Sequence, residues 1–107
     1  MAIYEKRSYS IIVGKMPDVI QLYSDVGWPA LKAVGCSDYL VGYFTSDTGT
    51  LSQLIHLWRF ADDQDRRAFW KRLSGNEATQ VFLRQLRPML LSQEVQLLNP
   101  APWGPAP

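Results

Sequence analysis

Two neighbouring segments, Asp38–Ser46 and Leu51–Phe60, alternate in the manner of strands and carry apolar side chains on both of their faces. In the first, Tyr39, Val41 and Tyr43 oppose Leu40 and Phe44; in the second, Ile55 and Leu57 oppose Leu54, Trp58 and Phe60. Asp47-Thr48-Gly49-Thr50 lies between them, and its Asp and Gly are turn formers, so the pair reads as a hairpin. A solvated sheet face should read polar, and neither face of this hairpin does. Whatever the chain folds into must cover the hairpin from both sides.

The remaining segments provide one of those covers. Ile3–Val13 is rich in β-branched and aromatic residues, with Ile3, Tyr9 and Ile11 on one side and Tyr4 and Ile12 on the other, and ends at Gly14 as a first strand. Pro17 suits the first turn of a helix, and Val19, Leu22, Tyr23, Val26, Ala30 and Ala33 recur at helical spacing up to Gly35. Gly27-Trp28-Pro29 interrupts that pattern, since an interior proline removes a backbone hydrogen bond at a cost of about 3 kcal/mol, and a kink or break is predicted there. Asp62, with Asp65 three residues on, caps a second helix whose stripe of Ala68, Phe69 and Leu73 runs to Gly75. Asn76 caps a further helix with Phe82, Leu83, Leu86 and Leu90 facing inward, bounded by Pro88, and a last strand spans Leu91–Leu98.

The order β-α-β-β-α-α-β is that of an α+β, ferredoxin-like split βαβ fold: a four-stranded, mainly antiparallel sheet with helices on one face. The helix-free face then lacks its cover, and packing it on a second copy requires only one self-complementary surface, which predicts a homodimer. Residues 1–98 form the expected domain. Residues 99–107 contain four prolines in nine positions and are expected to run as an extended tail.

At 107 residues the chain fits one domain, which buries about 60 to 70% of its unfolded surface. Its 47% hydrophobic and 20% charged residues, with a net charge of +1, describe a globular protein without a field that would gather nucleic acid. Cys36 is the only cysteine, so no intrachain disulfide can form, and no stretch approaches the roughly 20 apolar residues of a membrane span. The expected location is cytoplasmic.

The chain's one histidine stands in His56-Leu57-Trp58-Arg59-Phe60, and alternation puts Leu54, His56, Trp58 and Phe60 on a single face. His56 is the candidate catalytic or ligand-binding residue, because imidazole titrates near neutral pH and burial tunes it; the competing expectation is a core histidine satisfied by its neighbours. Trp58 and Phe60 suit the wall of a pocket for a small apolar or aromatic molecule, and Tyr9 and Tyr43 could add hydroxyl partners, although packing alone would also account for them. Asp62, Asp63 and Asp65 followed by basic residues complement a helix dipole. Within that run Arg66 is singled out as a candidate ligand-binding residue and as a partner for Asp62 or Asp63. One histidine and one cysteine cannot make a zinc site, the acid cluster lacks calcium-loop spacing, and Gly14-Lys15 lacks the rest of a phosphate loop. No metal or nucleotide cofactor is expected.

Tyr9, Gly14-Lys15, Pro29, Gly42-Tyr43-Phe44, Gly49-x-Leu51 and His56-Leu57-Trp58-Arg59-Phe60 followed by Arg66 resemble the NIPSNAP family, over most of residues 3 to 98. The resemblance implies a dimeric α+β barrel in which two ferredoxin-like sheets face each other, and a kinship of fold with the antibiotic-biosynthesis monooxygenases. Where the family often has an acidic residue before the Gly49 turn and an asparagine after Leu51, this chain has Thr48 and Ser52. Activity in the family is mostly undefined, so the expectation is a homodimeric small-molecule-binding or interaction module. The alternative is a cofactor-independent monooxygenase or haem-degrading enzyme with His56 as base or haem neighbour.

Overall fold

β1 (Ile3–Ile11), β2 (Leu40–Thr45), β3 (Gln53–Phe60) and β4 (Leu90–Leu98) form one sheet in the order β2-β3-β1-β4, with every neighbouring pair antiparallel. The computed structural model describes residues 2–107. This is the expected ferredoxin-like plan. Its register arranges the helix-facing side chains in rows across the sheet. One row is Tyr43, His56, Arg7 and Val95; on one side of it lies Leu40, Trp58, Glu5 and Leu97, and on the other Thr45, Leu54, Tyr9 and Gln93. Leu54, His56, Trp58 and Phe60 are all buried, while Arg59 between them is exposed, as period-two alternation requires.

The strand ends differ from expectation for local reasons. β1 stops at Ile11, whose N–H donates to Ser52 C=O at 2.8 Å, one step past the Ser10–Gln53 pair. Ser52 adopts a left-handed φ of 57°, so β3 starts only at Gln53. Ahead of β2, Cys36–Tyr39 form a single 3₁₀ turn.

The first helical segment does not break at Pro29. α1 (Met16–Leu22), a π-helical turn (Tyr23–Gly27) and α2 (Trp28–Ala33) run on with right-handed helical dihedrals at Leu22, Gly27 and Trp28. In ordinary α winding Pro29, having no N–H, would leave the carbonyl four residues earlier unpaired. The chain instead widens by one turn, and Trp28 N–H donates to Tyr23 C=O, a five-residue step. The extra residue shifts the inward face. Ala33, expected to face the core, is exposed, whereas Gly27, Ala30 and Leu31 are buried. The wide turn also comes very close to the next helix: a Cβ on Gly27 would lie 2.6 Å from the Phe82 ring.

α3 (Asp63–Ser74) and α4 (Glu77–Leu86) begin as their caps dictate. Asp62 Oδ1 accepts from Asp65 N–H at 2.8 Å, Asp65 Oδ2 accepts in return from Ala61 N–H at 3.0 Å, and Asn76 Oδ1 accepts from Thr79 N–H at 3.0 Å. α3 buries Phe69 and Leu73 with Trp70 half-buried; Ala68, expected in that stripe, is exposed. α4 buries Thr79, Phe82 and Leu86. Two apolar clusters result, one around Tyr9, Val19, Leu54 and Phe82, the other around Leu31, Cys36, Trp58 and Phe69.

On the helix-free face, the hairpin half carries an apolar strip, where Phe44 is exposed and Ile55 and Leu57 are half-buried, and Tyr4 and Leu98 add an apolar pair at one end of β1 and β4. The β1 and β4 half presents Lys6, Ser8, Ser10, Glu94 and Gln96. The proline-rich tail has no regular element, and Tyr4 donates its hydroxyl hydrogen bond to the Pro107 carbonyl.

Gly27 has an ordinary helical φ, so its smallness matters for clearance and not for backbone freedom. Gly27→Ala is expected to lower stability by about 1 to 3 kcal/mol, the usual cost of forcing an atom into packed surroundings. Denaturant unfolding of the variant checks this, and an unchanged midpoint would show that Phe82 yields freely.

Candidate functional site

The helical layer does not close fully on the sheet. A cavity of about 290 Å³ lies between them, with Tyr43, His56, Arg7 and Trp58 in its floor. Tyr23, Gly27, Ala30 and Leu31 come from the first helical segment, Trp70, Leu73 and Ser74 from α3, and Thr79, Phe82, Leu83 and Leu86 from α4. Both apolar clusters contribute to the wall. An apolar cavity of about 150 Å³ can hold one benzene, so this space is of the order of two rings.

His56 stands at the centre of the floor and is only 5% exposed. Its ring meets Tyr9 and Tyr43 edge-on at centroid distances of 4.7 and 4.6 Å, and its Nε2 shares a 3.1 Å hydrogen bond with the Tyr23 hydroxyl. Burial, reinforced by the adjacent Arg7 guanidinium, pushes the imidazole pKa down from 6.5 to about 3. Burial likewise raises the Tyr9, Tyr23 and Tyr43 phenols above their ordinary value. At neutral pH the floor therefore holds a neutral imidazole among protonated phenols. An imidazole this hard to protonate is a weak general base and a serviceable hydrogen-bonding group.

Only part of the polar inventory is satisfied. Tyr43 OH, His56 Nδ1, Trp58 Nε1 and Arg7 Nε are buried without a hydrogen-bond partner, and all four residues line the cavity. Each such group ordinarily costs about 1 to 3 kcal/mol when left unpaired. Four in one floor is a concentration that packing alone does not explain.

Beside them is a residue that the sequence does not single out. Glu5 is 1% exposed. Its Oε1 accepts from Arg66 Nη1 at 3.0 Å and from Trp70 Nε1 at 3.1 Å, and its Oε2 lies 3.4 Å from Arg7 Nη1. The Arg7 guanidinium in turn stacks over the Trp70 ring at 4.2 Å. Arg66 also pairs with Asp63 at 2.9 Å, as the sequence suggests.

Among the candidate residues, His56, Trp58, Tyr9 and Tyr43 thus line the cavity. Phe60 does not. It is packed against Phe69 and Tyr39, two positions further along β3. Arg66 lies outside the cavity too and touches it only through Glu5 and Arg7. The Cys36 thiol is buried, and its sulfur accepts from Arg72 at 3.7 Å. Among the described residues no cluster of three His, Cys, Asp or Glu is arranged to hold a metal ion. No helix among them is long and apolar enough to cross a membrane.

The family model for NIPSNAP matches residues 4–105. The chain belongs to the NIPSNAP family. Among solved structures it is similar to a NIPSNAP family protein from Agrobacterium tumefaciens, with 33% identity and a TM-score of 0.87 over 96% of this chain and 89% of that one. An uncharacterised NIPSNAP domain protein from Burkholderia xenovorans is 32% identical, with a TM-score of 0.86 over 97% of this chain and 99% of that one. The wider fold extends to a putative antibiotic biosynthesis monooxygenase from Caulobacter crescentus, at 12% identity and a TM-score of 0.67 over 94% and 90% of the two chains. That likeness shows a common fold and nothing about chemistry. No curated protein matches by sequence.

In this NIPSNAP protein the burial of His56 has a measurable sign. The unfolded imidazole takes up a proton near pH 6.5 and the folded one only near pH 3, so between those values the unfolded state binds more protons and stability falls as the pH is lowered. His56→Phe is expected to remove that acid-dependent loss. At pH 7 it should also cost about 1 to 3 kcal/mol by orphaning the Tyr23 hydroxyl. Urea unfolding of both proteins from pH 7 to pH 4 tests it, and parallel pH profiles would mean that His56 is not held neutral.

Proposed function

We propose that this NIPSNAP protein is a homodimeric small-molecule-binding module, with its ligand in the cavity between the helices and the sheet. The observation that carries this is the set of unpartnered polar atoms on Tyr43, His56, Trp58 and Arg7 around a space of about 290 Å³. Binding pockets typically combine apolar walls with a few polar groups that fix orientation, and this one has aromatic walls and four such groups. A ligand of one or two rings would contact Phe82, Trp70 and Tyr23 and pair with the floor. The weakness of His56 as a base favours binding over a cofactor-independent oxygenase reaction.

Dimerisation is supported by the hairpin half of the helix-free face. Phe44, Ile55 and Leu57 form an apolar strip there, which a second copy can cover through a two-fold contact. The cytoplasm is the proposed location.

Light scattering at micromolar concentration should give twice the chain mass, and a monomer across that range overturns the dimer. For the cavity, aromatic ketones, naphthoquinols and haem are titrated calorimetrically against the wild type and against Ala30→Phe, whose added ring fills the space from a buried wall position. The ring-sized compounds should bind the wild type and lose at least tenfold in affinity to the folded variant. Oxygen consumption in the same samples reads the oxygenase alternative, for which no turnover is expected. Equal binding by both proteins would place the ligand elsewhere.

A further inference from the structure

The charges around the cavity are unevenly distributed. Its lining includes two arginines, Arg7 and Arg87, and no aspartate or glutamate. His56 is neutral and cannot offset them. Arg7 is also the inner end of a continuous chain of ion pairs: Arg67 to Asp63 at 2.7 Å, Asp63 to Arg66 at 2.9 Å, Arg66 to Glu5 at 3.0 Å and Glu5 to Arg7 at 3.4 Å. Three cations share two carboxylates along it. The outer cation, Arg67, is exposed to water; the inner one, its side chain 21% exposed, borders both the cavity and an open groove beside Glu5, Arg66 and Trp70.

Glu5 cannot fully satisfy Arg7. Its Oε1 is taken up by Arg66 and Trp70, its Oε2 reaches Arg7 only at 3.4 Å, and Arg7 Nε is buried with no partner at all. Guanidinium presents its N–H groups as a planar fork suited to two carboxylate oxygens, and here one edge of that fork is left over. Trp58 Nε1, on the neighbouring row of the floor, is a second unpartnered donor that also lacks an acceptor. Glu5 Oε2 is likewise without a hydrogen-bond partner and meets Arg7 only loosely, so two donors, Arg7 Nε and Trp58 Nε1, stand without acceptors, and a guest carboxylate would supply them.

We infer that the ligand is a small organic anion, an aromatic body bearing one carboxylate, and that Arg7 is the residue that binds the carboxylate. The inference rests on the ligand-binding reading of the cavity and adds the charge of the guest. An amine-bearing ligand would meet Arg7 as a like charge, and a neutral carbonyl could accept from the Nε edge but would bring no counter-charge and a weaker hydrogen bond.

Three bicyclic probes of one shape separate the cases: 2-naphthoate, 2-naphthamide and 2-naphthylmethylamine, each titrated calorimetrically into the wild-type protein at neutral pH and low salt. Naphthoate is expected to bind at least tenfold more tightly than the amide, and the amine more weakly than either. Arg7→Gln should bring naphthoate and amide to equal affinity, and Arg7→Lys should restore only part of the difference, because it keeps the charge and loses the fork. The wild-type comparison needs no variant, so the test survives misfolding of either one. If amide and naphthoate bind the wild type equally, and both are lost in Ala30→Phe, the anion is overturned while the cavity remains a binding site. If none of the three binds, the cavity reading falls together with the anion.

Discussion

The floor of the cavity depends on how one buried carboxylate is compensated. Glu5 sits on β1, one of the two central strands, 1% exposed, where an unpaired charge would be prohibitive. Arg66 and Trp70 of α3 reach it from above and Arg7 from along its own strand. Removing one partner of a buried pair ordinarily costs about 3 to 5 kcal/mol, more than most single contacts in a domain of this size. The same carboxylate therefore pins α3 to the sheet and orients Arg7 and Trp70 at the cavity wall. The stability of the fold and the chemistry of its floor rest on the same group.

Much of this was legible in the sequence wherever a period or a cap decides the structure. Period-two alternation placed His56 and Trp58 on one buried face, and Asp62 and Asn76 announced their helices by residue type alone. The NIPSNAP resemblance rested on the same stretch and was confirmed over residues 4–105. Phe60 shows where alternation stops being informative: it shares a face with His56, but four further positions along the strand carry it about 13 Å away, under α3 rather than under the cavity.

What could not be read was long-range compensation. Glu5-Lys6-Arg7-Ser8 is polar on both faces and looks solvated, since the partner that makes Glu5 a core residue lies on another element, at Arg66. The existence of a cavity is equally invisible, because an apolar stripe on α4 tells which face turns inward and not how closely it is met. Pro29 was legible as a conflict with helical hydrogen bonding but not in its resolution. A break and a widened turn both relieve the same missing N–H; the chain adopts the second, with Gly27 close against the Phe82 ring.

That widened turn limits how the roof of the cavity can vary. Trp28 N–H reaches back five residues to Tyr23, so the helix carries one residue more than α winding would need over the same span. Deleting any residue between Tyr23 and Gly27 would return the segment to α winding over the same span, keep the face that Ala30 and Leu31 present to the cavity, and bring back the unpaired carbonyl that Pro29 imposes on an α turn. The wide turn thus absorbs the proline without moving the roof, and the roof can be reshaped by exchanging side chains at Ala30 and Leu31, whereas Gly27 is held small by the Phe82 ring.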